Sequence, residues 1–449
     1  MESDFAGAAN TSGLESDARH IHDDKPLSPD NIAIGVIIGR TAEFFDFFVY
    51  GLASILVFPR LVFSFEPNPV KAQLYAFLVF SLAFVARPVG SLVFMSVDRR
   101  YGRGVKLTVA LFLLGGSTIA LAFLPSYETA GTSSLALLML FRLGQGFAWG
   151  GAWDGLASLL ALNAAPEVRG RYAMVPQLGA PLGFALASVL FGYFYTTLPH
   201  EDFVSWGWRY PFFVAFAINV VALFARLRLV ATREFGELLR QKELTAQPVG
   251  AVLGRHKKHV LLGAFVPLGS FALFHLVTIF PLAWIALVRG EQTGEMLAMQ
   301  VVGAAFCTVA IVASGYVADR IGRRGHLMLC AILTALFSLS APFLIDVGRT
   351  GQYSFLLSAF ALMGFFFGQA SGSIADNFST RLRYTGSALT SDLAWLIGAG
   401  FAPAAAFYLA TRFGIAFIGL YLLSGAICSA VALVIAGRSR TGESKSERM

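Results

Sequence analysis

The segment Gly315-Tyr-Val-Ala-Asp319-Arg320-Ile-Gly322-Arg323-Arg324 lies between two apolar stretches, and its reading decides the fold. Charges crowded into so short a turn cannot lie in a bilayer, where one at the centre costs about 2.5–3.5 kcal/mol on insertion scales. The turn therefore belongs at a membrane face, tying two helix ends together. A second copy, Asp98-Arg99-Arg100-Tyr101-Gly102-Arg103, follows an earlier apolar stretch. Two copies of one device point to a duplicated, all-α membrane fold.

Composition agrees. The 449 residues are 56% hydrophobic and only 14% charged, with 42 Phe. Soluble domains carry nearer a quarter charged residues. A bilayer core of about 30 Å asks for about 20 apolar residues per helix. Twelve spans meet that length: 33–58, 74–96, 107–124, 135–161, 173–196, 210–229, 260–286, 298–317, 327–345, 353–375, 386–410 and 414–436. The longest polar connection, 230–259, divides them six and six. The expected organisation is a polar tail 1–31, bundles 32–229 and 260–436 joined by the 230–259 linker, and a tail 437–449. Duplicated halves with a site between them at the midplane are the logic of alternating access.

Lys and Arg collect in alternate loops. One side holds Arg99, Arg100, Arg103, Lys106, Arg169, Arg171, Arg226, Arg228, Lys257, Lys258, Arg320, Arg323, Arg324, Arg381, Arg383 and Arg438. The other side has mixed charges such as Glu128, Glu201, Asp202, Arg289, Glu291 and Glu295. By the positive-inside rule the basic side, with both termini, is cytoplasmic. The net charge of +7 is then a topology signal, and no soluble basic face offers a nucleic-acid partner. The first 30 residues lack the basic start and apolar core of a signal peptide and read as a disordered tail. Cys307, Cys330 and Cys428 fall inside spans without ligand spacing, so neither disulfide nor metal nor cofactor is expected. Gly146-Phe-Ala-Trp-Gly150-Gly151 sits within a span, not at a strand-to-helix turn, so it is no phosphate cradle. There and at Gly179 and Gly183, small residues four apart let helices approach closely. No enzyme motif is present.

Six short motifs, in order over about 32–436, resemble the major facilitator superfamily and, within it, the bacterial metabolite:proton symporter family. They are Glu43-Phe-Phe-Asp46-Phe in the first span, Arg87-Pro88-Val-Gly90 in the second, and Arg142-Leu-Gly-Gln145-Gly146 in the fourth. Pro176-Gln177-Leu-Gly179-Ala-Pro181-Leu-Gly183, Trp206-Gly-Trp208-Arg209-Tyr-Pro211 and Arg383-Tyr384-Thr385-Gly386 complete the set. The resemblance implies twelve helices in two six-helix bundles, a monomer in the bacterial inner membrane, and proton-coupled symport of a small organic acid. A zwitterion such as a betaine or amino acid is the alternative cargo. A proton-coupled exporter and a transporter-like sensor without flux are further readings.

The chain departs from that pattern where charge is at stake. Arg99 stands where the first-half loop of the family has Asp, and Asp98 is displaced by one residue, about 100° around a helix. Ala152-Trp153-Asp154 replaces Glu-Trp-Gly, Arg40 replaces a small or polar residue, and Asp392 replaces Asn. With Arg99 in place of the gate Asp, the expectation is a resting population biased toward inward-open unless Asp98 or the intact Asp319 loop compensates.

Ionisable residues inside apolar spans are costly and face a cavity or one another. Arg40, Glu43 and Asp46 follow i, i+3 spacing on nearly one face. The proton-coupling candidates are Asp46, Glu43, Asp154 and Asp392. The substrate candidates are Arg40, Arg142, Gln145, Trp153, His275 and Trp395, because a guanidinium presents a planar fork to a carboxylate. Arg40 and Glu43 also fit a plain intrahelical ion pair. His275, among Phe271, Phe274 and Phe280, also fits a packed structural histidine. Arg87, beside Pro88, reads as holding a kinked helix. The gating candidates are Asp98, Arg99, Arg100, Arg103, Asp319, Arg320, Arg323 and Arg324.

Overall fold

The structure is a computed structural model, and it describes residues 29–152, 160, 164–230, 246–289, 293–375, 378 and 380–446. Trp153 and Asp154 lie outside the described residues. Twelve long helical segments run through it. In the first half these are α1 (Pro29–Leu56), α2 (Pro69–Tyr101), α3 (Arg103–Ala122), α4 (Thr132–Gly151), α5 (Arg169–Thr197) and α6 (Gly207–Leu227). In the second they are α7 (His256–Leu287), α8 (Thr293–Ile321), α9 (Arg323–Asp346), α10 (Arg349–Ile374), α11 (Leu382–Phe413) and α12 (Ala416–Gly437). Each of the twelve sequence spans has its helix.

The two charged turns are alike in detail. A single residue, Gly102 (φ 87°), separates α2 from α3, and a single residue, Gly322 (φ 78°), separates α8 from α9. With ψ of 166° and 147°, both occupy a region of backbone space essentially reserved for glycine. The sharp reversal brings each Asp of the motif to a bundle edge.

Packing repeats as well. α2 runs along α4 as α8 runs along α10, and α3 pairs with α6 as α9 pairs with α12. The halves meet along two seams, α5 against α8 and α2 against α11. Small residues set the closest crossings. A Cβ on Gly146 would lie 2.1 Å from the Ala83 carbonyl oxygen, so α4 presses directly on the backbone of α2. One on Gly179 would lie 2.6 Å from the Arg40 carbonyl carbon, which brings α5 against the charged stretch of α1. The outside is apolar: Phe112, Phe224, Val309, Leu339 and Phe343 are exposed, as lipid-facing side chains are. Inside, α7 is the most enclosed of the ten helices long and apolar enough to cross a membrane. A π-helical segment closes α7 (Ile285–Arg289), and another interrupts α11 midway (Leu396–Gly400).

Candidate functional site

At the centre lies a cavity, partly open to solvent, lined by Arg40, Glu43, Phe44 and Phe47 of α1, Phe84 and Arg87 of α2, Trp149 and Ala152 from the end of α4, and Trp395 of α11. Two ion-paired groups form its polar wall. Glu43 is held from both sides, by Arg40 Nη1 at 2.5 Å and by Arg226 Nη2 of α6 at 2.6 Å. Arg87 Nε donates to Asp392 Oδ1 at 2.7 Å, and Ser91 donates to the other carboxylate oxygen. The second pair therefore bridges the two halves. Arg87 also lies 5.9 Å from the Trp395 ring centre.

Beside the cavity, α1, α3, α4 and α6 close around a second, fully buried cluster. Asp46 accepts from the Thr118 hydroxyl, from Asn219 Nδ2 at 3.2 Å and from Gln145 Nε2 at 3.4 Å. Arg142 donates to Gln145 Oε1 at 3.0 Å and to the Phe80 carbonyl at 3.1 Å, with its guanidinium 3.9 Å from the Tyr50 ring centre. His275 of α7 sits within 5.3–5.9 Å of the rings of Phe80, Phe274, Phe47 and Phe84. Neither of its ring nitrogens has a hydrogen-bond partner among the described residues.

The basic end of the molecule is latched along both seams. Asp319 accepts from the Gly170 N–H at 2.6 Å and from Arg171 Nε at 2.9 Å, at the start of α5. A carboxylate at a helix N-terminus meets unsatisfied amides and the positive end of the helix dipole. On the other seam, Asp98 takes Lys106 Nζ at 3.3 Å and the Tyr384 hydroxyl at 3.2 Å, while Lys106 also reaches Tyr384 at 2.7 Å. Arg103 covers the Tyr384 ring at 5.0 Å. Arg99 turns outward to Ser96 and the Gln247 carbonyl, and Arg100, Arg320 and Arg324 are exposed. Arg323 donates to Gln369 and the Gly372 carbonyl, within its own half. At the opposite end a cleft of about 1060 Å³ opens between the halves, lined by Arg60, Glu66, Tyr195, His200, Leu287 and Thr293 among others.

Several expectations change. The basic end is closed, with Asp98 and the Asp319 loop supplying the compensation the sequence reading allowed for. The displaced Asp98, not the residue at position 99, supplies the first-half latch, because the α2 end points position 98 at Tyr384. Arg87 does not serve as a kink holder; its guanidinium crosses to Asp392. Arg226, counted with the basic loops, is buried and paired with Glu43. Asp46 does not share the cavity face of Arg40 and Glu43 but points into the α3–α4–α6 side. Arg142, Gln145 and His275 adjoin the cavity without lining it, whereas Arg40 and Trp395 line it.

Sequence reading missed Asn219, Thr118, Ser91, Tyr384 and the role of Arg226. Asn219 and Arg226 carried a usable signal: two polar residues seven apart in an apolar span share one helix face. Thr118 and Ser91 are indistinguishable by sequence from ordinary helix-buried hydroxyls.

Three comparisons bear on this geometry. The family model described as Major Facilitator Superfamily matches residues 41–403. The chain is 35% identical over 432 residues to the inner membrane metabolite transport protein YhjE of Escherichia coli (strain K12), covering 94% of this chain and 97% of that one. It is 28% identical to the shikimate transporter of the same organism, over 90% of this chain and 93% of that one. The crystal structure of a D-xylose-proton symporter superposes with a TM-score of 0.67 at 15% identity, covering 90% of this chain and 96% of that one, which is a likeness of fold.

Proposed function

Because the chain belongs to the Major Facilitator Superfamily and is a membrane-embedded secondary transporter, we propose that it carries a small organic carboxylate together with a proton by alternating access. One observation carries the cargo class. Around the central cavity, the described side chains set three guanidinium groups, Arg40, Arg87 and Arg226, against two carboxylates, Glu43 and Asp392. Two of those guanidinium groups, Arg40 and Arg87, line the cavity itself. A guanidinium offers a carboxylate two parallel donors. The name of the shikimate transporter is in keeping with that class.

The proton is assigned to Asp46. Its three hydrogen-bond donors are neutral, and Gln145 stands between it and the Arg142 guanidinium. Such a carboxyl can alternate between protonated and ionised forms as the halves rock. The basic end is assigned to the cytoplasm, with the 1–31 and 437–449 tails and the 230–259 linker on that side of bundles 32–229 and 260–436. The structure then has its cytoplasmic latches shut and its cleft outward. A single chain holds the whole cavity, which supports a monomeric working unit.

A second reading has its own support. Phe44, Phe47, Phe84, Trp149 and Trp395 line the same cavity, and aromatic faces attract quaternary ammonium groups. A betaine would use those faces and one arginine. Purified protein in proteoliposomes, given carboxylates or betaines under an imposed pH gradient, separates the readings. Uphill uptake of a carboxylate driven by inward protons supports the first. Betaine uptake without carboxylate uptake supports the second. Ligand-dependent thermal stabilisation without counterflow would reveal a sensor instead.

A further inference from the structure

The geometry points to the Arg87–Asp392 pair as a substrate-displaced latch between the halves: a substrate carboxylate takes Arg87 from Asp392, and Asp392 takes up a proton in exchange. The inference rests on the carboxylate reading above and adds a second proton site, besides the one assigned to Asp46, through which cargo and closure communicate.

The two ion-paired groups of the cavity are not equivalent. Arg40, Glu43 and Arg226 belong to α1 and α6, so that triad can move with its own half intact. Arg87 belongs to α2 and Asp392 to α11, so their 2.7 Å contact must break whenever the basic end opens along that seam. Only Arg87 of the two lines the cavity, with Asp392 behind it at 3% exposure. An anion in the cavity thus meets Arg87 from the side opposite Asp392.

The surroundings of Asp392 dictate how it responds when that partner leaves. From α2 it faces Arg87 and the Ser91 hydroxyl, which is also placed at 3.3 Å from the Gly150 carbonyl of α4. The charges across the cavity are Glu43 and Arg40 on α1. The adjoining Trp395 ring packs on Phe271 and Phe274 of α7 and Phe367 of α10, which bring no charge. Once Arg87 turns to a substrate, the described side chains offer Asp392 only the Ser91 hydroxyl. An uncompensated buried carboxylate is costly. A proton from solvent restores neutrality: the carboxylate and the proton enter together, and the net charge of the site is unchanged. By linkage, proton and substrate then favour each other's binding to the same degree.

The test is proton uptake on binding, read with a pH indicator in weakly buffered detergent solution, using pyruvate, lactate and benzoate as probes. Wild type is expected to take up about one proton per bound carboxylate when the pair starts ionised. Asp392→Asn should bind carboxylate about tenfold more tightly, with its competitor for Arg87 gone, and without that uptake. Asp392→Glu should restore the uptake, which a merely structural role at this position would not predict. Asp46→Asn should retain it. Uptake that persists in Asp392→Asn and vanishes in Asp46→Asn overturns the inference and leaves proton–carboxylate symport standing. If no probe or other carboxylate binds wild type while a betaine does, the cargo reading falls and takes the inference with it.

Discussion

Asp46 on α1 and Arg142 on α4 are joined through Gln145, which donates to the carboxylate at 3.4 Å and accepts from the guanidinium at 3.0 Å. An acid and a base separated by an amide sense each other without locking. Asp46→Asn should therefore abolish proton-driven accumulation in vesicles while sparing counterflow, since an amide mimics the protonated acid but releases no proton. Gln145→Leu should impair coupling more than binding, because it cuts the link and leaves the cavity wall intact. Concentrative uptake by Asp46→Asn would move the proton carrier elsewhere.

Glu43 stands between two guanidinium groups, with Arg226 at 5% side-chain exposure. Glu43→Gln leaves adjacent positive charges without their counterion. Breaking a buried pair from one side costs about 3–5 kcal/mol. The variant is expected to lose thermal stability by an amount of that order, and Glu43→Gln with Arg226→Gln should recover part of it. Equal melting of the single and double variants would show that the charges are not coupled.

The two latches at the basic end differ in kind. Asp319 engages a backbone amide and Arg171, whereas Asp98 shares its partners with a direct Lys106–Tyr384 contact. Asp319→Asn should open the basic end more than Asp98→Asn does. Charge-assisted hydrogen bonds contribute about 1.5–3 kcal/mol, enough for a tenfold or larger shift in the conformational ratio. Arg99→Asp should change little, because Arg99 faces outward. Spin-label distances across that end report all three, and a large response to Arg99→Asp would contradict the placement of that side chain.

Gly102→Ala and Gly322→Ala meet open space, since no atom lies within 4 Å of a Cβ at either position. Their cost is the backbone alone, about 1–3 kcal/mol each. Similar losses in thermal melting are expected for the two variants. A loss at one turn only would mean that the two copies do not bear the same backbone strain.

Orientation can be read by labelling single cysteines in intact cells. Ser126→Cys and Ser205→Cys should react with an impermeant reagent, and Thr245→Cys should not. Reaction at position 245 would invert the assignment of the basic end.

The charged turns around Gly102 and Gly322 made the architecture legible in the sequence. Bilayer thickness dictates span length, and a charged turn has nowhere to go but a membrane face. The same rule identified Arg40, Glu43, Asp46, Arg142 and Asp392 as residues with a reason to be inside, because a charge in an apolar span is conspicuous. Pairing was not legible. Arg87 and Asp392 are 305 positions apart, and nothing local says that α2 meets α11 there. Arg226 looked like one more loop cation, since only the tilt and close packing of α6 on α1 turn it toward Glu43. Position 99 aligned with a family gate residue, yet the helix end aims position 98 at Tyr384, a matter of one residue's rotation. Sequence alone determined which groups could not face lipid. Which partner each one faces instead was decided by helix packing, through contacts that exist only once both halves have closed on one another.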